Sequence, residues 1–205
     1  MRVLERARGA GLLGPGPVEP HIEHALAFAV PVETLVEHPG GVAAVDLGTG
    51  AGLPGLVLAV AFPASDWLLV DGRQRSTGFV AAAVADLGLG ERVAVQTARA
   101  EELGRDARHR GRHRLVVARG FGPPAVLAEC AAPLLADGGR LVVSEPPEPA
   151  GDRWPSGPLA RLGLCLDGRT GSRGATVAAF TQVSPCPAAY PRRVGIPGKR
   201  PIWRP

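Results

Sequence analysis

Cysteine is scarce in this chain, lysine scarcer still, and no long apolar run is present. The three cysteines, Cys130, Cys165 and Cys186, are odd in number and widely spaced. They cannot build a disulfide framework, and no C-x-x-C or Cys/His pairing suggests zinc. His109 and His113 have helical i, i+4 spacing, but Gly111 intervenes and a third ligand is missing, so no metal is expected. No stretch approaches the ~18 apolar residues of a membrane helix. The opening residues Met1-Arg2-Val3-Leu4-Glu5-Arg6 lack the apolar segment of a signal peptide. A soluble, cytoplasmic, monomeric protein is expected.

What is present points to an ordinary core with an uneven charge distribution. The 205 residues are 45% apolar and 20% charged, with a formal net charge of +4. That excludes wholesale disorder and suits one domain, with room for a small extension. Lys199 is the sole lysine, so nearly all positive charge is arginine. A GC-rich genome explains heavy Ala, Gly, Pro and Arg use as well as RNA binding does. It does not explain clustering. Residues 184–205 carry Arg192, Arg193, Lys199, Arg200 and Arg204 with no acidic residue, and 105–114 (RDARHRGRHR) is similarly basic. Such patches are footprints for polyanions, although 105–114 also reads as a solvated arginine surface.

Along the chain, the first sixteen residues are rich in Arg, Gly and Pro and predict no stable element of their own. An apolar pattern predicts a short helix from Val18 to Ala29, with Pro31 kinking it or starting another that ends before Pro39. A regular rhythm follows. Strands are expected at 42–47, 67–70, 92–97, 115–118 and 140–144, with helices after Gly52, at 75–87 and at 124–135. Residues 146–158 read as a loop, and 161–166 with 175–183 as a hairpin pair. The predicted fold is α/β, a doubly wound and mostly parallel sheet with an antiparallel C-terminal edge pair. Three segments are expected: a helical 1–40, a ligand-binding 41–183, and a basic, Pro-rich arm over 184–205 that runs extended along the surface.

The strongest local signal is Val45-Asp46-Leu47-Gly48-Thr49-Gly50-Ala51-Gly52 at the first strand-to-helix turn, where open α/β sheets bind ligands. Glycines there let a ligand approach the backbone, and the helix start offers free N–H groups. A dinucleotide site would require G-x-G-x-x-G, but Leu53 occupies the third glycine's place. The pattern is instead D-x-G-x-G-x-G, which resembles the first motif of class I S-adenosylmethionine-dependent methyltransferases. Asp71 ends the second strand, where such enzymes hold the ribose hydroxyls; a strand-end cap is the plainer alternative.

A narrower likeness extends over roughly residues 20–202. GTGAGLPGLVLA, followed by Asp71-Gly72-Arg73-Gln74-Arg75, resembles the bacterial RsmG (GidB) family of 16S ribosomal RNA guanine-N7 methyltransferases. Ala98-Arg99-Ala100-Glu101 is similar to its Ala-Glu segment, and Ala118-Arg119-Gly120-Phe121 to its Ser-Arg-Ala-Phe segment. Tyr190 to Pro201 is similar to its basic C-terminal signature. The start is shorter and richer in Gly and Pro than in the family, and Ser-Arg-Ala is relaxed to Ala-Arg-Gly. The resemblance implies S-adenosylmethionine as cofactor, S-adenosylhomocysteine as product, and ribosomal RNA or a small-subunit precursor as partner. Asp46, Gly48, Gly50 and Leu53 then shape the cofactor pocket, Asp71 holds the ribose, and Ala100 and Glu101 border the adenine. Arg119 orients substrate or cofactor, while Arg73, Arg75, Arg192, Arg193, Lys199 and Arg200 meet RNA phosphates.

Other readings stay open on these residues. Arg119 also suits a structural salt bridge, Phe121 a core position, and Glu145-Pro146-Pro147-Glu148 an ordinary surface loop rather than the border of a substrate mouth. A methyltransferase of a small metabolite and a non-catalytic RNA-binding relative are the competing functions.

Overall fold

The computed structural model describes residues 1–32, 42–146 and 152–204. Within them a seven-stranded sheet runs in the order β3-β2-β1-β4-β5-β7-β6. Its strands are β1 Val42–Leu47, β2 Ser65–Asp71, β3 Val93–Thr97, β4 His113–Ala118, β5 Leu135–Glu145, β6 Leu164–Ser172 and β7 Ala175–Gln182. β1 to β5 are parallel; β7 lies antiparallel between β5 and β6. The mostly parallel α/β sheet with an antiparallel edge pair is therefore as the sequence predicts.

Side chains alternate across each central strand, so both faces are buried. On one face Val45, Leu47, Val116, Ala118, Leu141 and Val143 join Ala128, Leu134 and Phe180. On the other, Val42, Ala44, Leu115, Val117 and Val142 join Leu58, Val80 and Trp67. A strand buried on both sides needs apolar residues at every position, which is why these segments read as continuous runs.

The helices are α1 Arg2–Gly9, α2 Glu19–Ala27, α3 Gly55–Ala61, α4 Gln74–Asp86, α5 Ala100–Leu103, α6 Pro124–Ala131, α7 Ser156–Arg161 and α8 Ile196–Lys199. Three departures from the sequence reading share one cause, which is contact with distant parts of the chain. α1 forms although its sequence gives no cue, because Leu4 and Ala7 are buried, Arg6 pairs with Asp86, and Arg75 Nη2 donates to the Ala10 carbonyl. α7 begins in the expected loop and runs to Arg161, the expected start of a strand, with Leu159 fully buried; that strand starts only at Leu164. β5 starts at Leu135 rather than 140, with a register irregularity opposite His113 and Leu115.

The C-terminal segment also departs from expectation. It is not an extended arm: Pro191, Pro197 and Trp203 are buried, and α8 forms a single short turn. Trp203 packs edge-on to Trp154 at 6.3 Å, and its Nε1 donates to the Arg153 carbonyl at 3.1 Å. The helix expected to start near Pro31 and end before Pro39 lies largely outside the described residues, beyond a 3-10 turn at Val30–Val32. Among the described residues no helix is long and apolar enough to cross a membrane.

Candidate active site at the switch of strand order

Strand order reverses between β1 and β4, and the crevice beyond the C-terminal ends of such strands is where open α/β sheets bind ligands. The loop after β1 supplies one wall. The Gly48 and Thr49 amides both donate to the Val70 carbonyl at 2.9 Å, which pins the loop to β2. Gly48 has φ +76°, and a Cβ there would lie 2.8 Å from Phe121 Cδ2. Only glycine satisfies both conditions.

Asp46 sits behind this loop rather than in the crevice. It is fully buried, and its Oδ2 accepts from Thr49 Oγ1 at 2.7 Å and from the Gly55 amide at 2.9 Å. Burial pushes its carboxyl up to about 6, against the pull of those two hydrogen bonds and of the nearby Arg119 charge. Gly55 belongs to the GTGAGLPGLVLA stretch that carries the resemblance, although the sequence alone assigns it no role. A Cβ on it would fall 2.7 Å from Asp46 Cβ and 2.4 Å from Leu69 Cδ2, so α3 can start against β1 only with glycine there.

Asp71 closes the opposite side. Its Oδ2 accepts from the Gly50 amide at 3.0 Å and its Oδ1 from the Arg73 amide at 2.8 Å, joining the loops after β1 and β2. The cleft between them has a volume of about 230 Å³. Gly48, Asp71, Arg73, Ala100, Glu101 and Phe121 are among the residues that line it. Gly50 joins through its bond to Asp71. Leu53 does not reach the cleft: it is buried with Leu4, Val18 and Ala25 under the N-terminal helices. Its place after the glycine loop therefore serves the packing of the N-terminal segment.

Arg119, at the end of β4, is outside the cleft lining and faces α2 instead. Its Nη2 meets His21 Nδ1 at 2.9 Å and its Nη1 donates to the His21 carbonyl at 3.4 Å. Burial, then the Arg119 charge, lowers the pKa of both His21 and His24. A neutral His21 is the partner that lets Arg119 donate to Nδ1.

The basic residues divide into two groups. Arg192 is clamped on buried Glu129, with Nε to Oε1 at 2.8 Å and Nη2 to Oε2 at 2.6 Å, so it is not available for phosphate as expected. Arg75 is engaged by the Ala10 carbonyl. Within the basic stretch 105–114, Arg110 donates to the Gly104, Tyr190, Cys186 and Pro187 carbonyls, and Arg105 Nε to the Pro191 carbonyl. Arg105 and Arg110 thus staple the C-terminal segment, while Arg108 and Arg112 of the same stretch stay exposed, as a solvated face would have them. Arg73, Arg193, Lys199 and Arg200 are exposed. The staple also reaches the cleft, because the Gly195 amide donates to Glu101 Oε1 at 3.0 Å.

His109 and His113 stack at 5.6 Å, and burial lowers His113 to about 4. Among the described residues no three His, Cys, Asp or Glu side chains converge as a metal site. Trp67 is a packing residue whose Nε1 donates to Ser65 Oγ at 2.7 Å. Glu145 is no surface residue; it is buried with Trp154 Nε1 on its Oε1 at 3.0 Å.

Comparison with known proteins adds a family. A methyltransferase from Synechococcus sp. (strain WH7803), ribosomal RNA small subunit methyltransferase G, is 37% identical over 168 residues, covering 77% of this chain and 65% of that protein. The protein of the same name from Roseiflexus castenholzii is 38% identical over 169 residues, covering 77% and 70%. The chain thus spans about two thirds of the length of these relatives. Among solved structures, magnesium protoporphyrin IX methyltransferase from Synechocystis PCC 6803 with bound SAM superposes with a TM-score of 0.58 at 21% identity, covering 83% of this chain and 88% of that one. The cyclase SpnF superposes at 0.56 and 23% identity, covering 71% and 58%. These structures bear on the fold alone, since one scaffold carries many chemistries. The family model described as GidB, rRNA small subunit methyltransferase G, matches residues 4–145, and the chain belongs to that family.

Proposed function

We propose that this protein transfers the methyl group of S-adenosylmethionine to N7 of a guanine in 16S ribosomal RNA, leaving S-adenosylhomocysteine. The observation that carries this reading is Asp71, a buried carboxylate at the end of β2 facing the cleft across from Gly48, in a chain of the GidB family. The residues present fit such a cofactor. After accepting from Gly50 and Arg73, the Asp71 carboxylate keeps lone pairs for two ribose hydroxyls. Ala98, Ala100 and Glu101 supply a wall for the adenine, and the loop around Gly48 leaves backbone open to the methionine moiety.

When bound, S-adenosylmethionine supplies a methyl group on a cationic sulfur. Guanine N7 offers a lone pair and carries no proton, so no side chain has to act as a base. The remaining task for this chain is to hold the acceptor in line and to keep water out. Phe121, seated over Gly48, covers the loop side of the cleft. Arg119 acts at a remove from the acceptor: it ties His21 of α2 to the end of β4 beside the cleft. The exposed Arg73, Arg193, Lys199 and Arg200 meet phosphates of ribosomal RNA or a small-subunit precursor, a cytoplasmic task. The working unit proposed is a monomer.

Calorimetry with S-adenosylmethionine, and mass-spectrometric mapping of ribosomal RNA from cells with and without the protein, test this. Binding together with loss of one 7-methylguanosine is expected. A folded protein that does not bind the cofactor overturns the reading; binding with unchanged ribosomal RNA overturns the substrate.

A further inference from the structure

Two arginines stand on the rim of the cleft, Arg73 and Arg99. Arg73 stands in solvent: its side chain is 84% exposed, and its Nε comes no closer than 3.9 Å to Asp71 Oδ1. Arg99 lies differently. It immediately precedes α5, and its side chain turns back over the loop after β2. A Cβ built on Gly72 would lie 3.4 Å from Arg99 Cδ and 3.5 Å from Nη1, so stem and guanidinium rest against that glycine. On the other side, Arg99 Nε lies 3.8 Å from Glu101 Oε2, too far for a hydrogen bond. Glu101 is itself fixed, because its Oε1 accepts from the Gly195 amide at 3.0 Å. Arg99 therefore runs from the residue next to Asp71 to the carboxylate of α5, across the mouth of the cleft. Its side chain is still 57% exposed. Arg105, Arg110 and Arg192 spend their donors on carbonyls or a carboxylate, whereas the Arg99 guanidinium has no such bond among the described residues.

We infer that Arg99 is the lid of the nucleoside end of the cleft, its guanidinium plane covering the cofactor's adenine from the solvent side. The inference rests on the proposed function above, which gives the ribose to Asp71 and the adenine to the wall of Ala98, Ala100 and Glu101. That wall leaves the mouth to whatever lies across it, and Arg99 is the side chain there. A guanidinium group stacks on a base with its flat face while its five N–H groups, lying in the plane, keep their water. Such a role suits a side chain that is half exposed and whose donors are uncommitted. The Glu101 carboxylate draws the charge toward α5 without taking a donor, so the plane stays over the mouth. A lysine in its place would carry the charge but no face. An RNA phosphate is the rival partner for an exposed arginine, and it calls for charge and donors rather than a plane.

The test is calorimetry with S-adenosylhomocysteine on Arg99→Ala and Arg99→Lys, with circular dichroism to check the fold. Both variants are expected to bind about three- to tenfold more weakly, lysine rescuing little because an ammonium has no plane to stack. Affinity for 5′-methylthioadenosine, which keeps the nucleoside and lacks the amino acid, should fall by the same factor. The salt slope of RNA binding should stay that of the unmodified protein in both variants. An Arg99→Lys variant that binds S-adenosylhomocysteine as tightly as the unmodified protein overturns the lid, since charge alone then suffices. Unchanged cofactor affinity in Arg99→Ala with a smaller salt slope assigns Arg99 to an RNA phosphate and overturns it too. Either result leaves the proposed function standing. A folded, unmodified protein that does not bind S-adenosylhomocysteine overturns the proposed function and the lid with it.

Discussion

The two sides of the cleft share bonds from backbone amides to carboxylates, Gly195 to Glu101 among them, and differ in what is added. On the glycine-loop side, backbone amides donate to side-chain carboxylates: Gly55 to Asp46, Gly50 and Arg73 to Asp71. On the C-terminal side, arginine side chains donate to backbone carbonyls, and one arginine grips a buried glutamate. The first arrangement fixes a loop through partners close in space and bound to a short motif. The second fastens a segment of irregular backbone whose carbonyls have no ladder to join, and arginine with its five donors suits that task.

The contrast breaks most severely at Arg192. Arg192→Ala leaves the Glu129 carboxylate buried and unpaired and is expected to cost about 3–5 kcal/mol of folding stability, read from urea denaturation. Glu129 and Arg192 removed together should cost less than Arg192 alone, because the stranded charge is gone. Asp71→Ala acts on the other side. It removes the acceptor of two amides and of the proposed ribose contact, and is expected to weaken S-adenosylmethionine by about 100-fold in calorimetry while circular dichroism stays native. Undiminished affinity would show that Asp71 only ties loops.

Smaller effects sharpen the comparison. Trp203→Phe keeps the packing on Trp154 but removes the bond to the Arg153 carbonyl, at a cost of about 1 kcal/mol in the same denaturation assay. Replacing Arg193, Lys199 and Arg200 by alanine leaves fold and cofactor binding alone. It is expected to lower the salt slope of RNA binding by about 0.7–0.9 for each phosphate that these side chains neutralise. An unchanged slope would remove this surface from RNA recognition.

Two buried groups give stability opposite dependences on pH. Asp46 titrates at about 6 in the folded chain, above its ordinary 3.8, so the folded state holds the extra proton. Its contribution is full below 3.8 and is lost as pH rises through 6. His113 titrates at about 4, below its ordinary 6.5, so its contribution is full above 6.5 and is lost as pH falls through 4. The two slopes oppose each other between about pH 4 and 6. Asp46→Asn should steepen the rise of stability with pH across that interval, and His113→Phe should flatten it. Thermal melts across the interval would show both, and parallel curves for the two variants would contradict the assignment.

How legible each feature is in the sequence follows from how local it is. The sheet is legible because strands covered on both faces must be apolar throughout, as Leu115-Val116-Val117-Ala118 is. The glycine turn is legible because its spacing records backbone constraints within a few residues. Leu53 misleads because its position in the motif suggests the ligand, whereas its neighbours are Leu4, Val18 and Ala25 from another part of the chain. Arg192 misleads because a basic cluster reads as free charge until Glu129, 63 positions away, is known to lie against it. The roles of Arg105 and Arg110 are hidden for the same reason: their acceptors include carbonyls of residues 186–191, which no side-chain pattern reveals.

The hydrogen bond from Gly195 to Glu101 has a practical corollary for anyone handling this protein. Residue 195 sits next to the cleft, however remote it looks on a linear map. Chains cut before Gly195 would uncover a carboxylate on the wall of that cleft, and measurements made on them would describe a different binding surface.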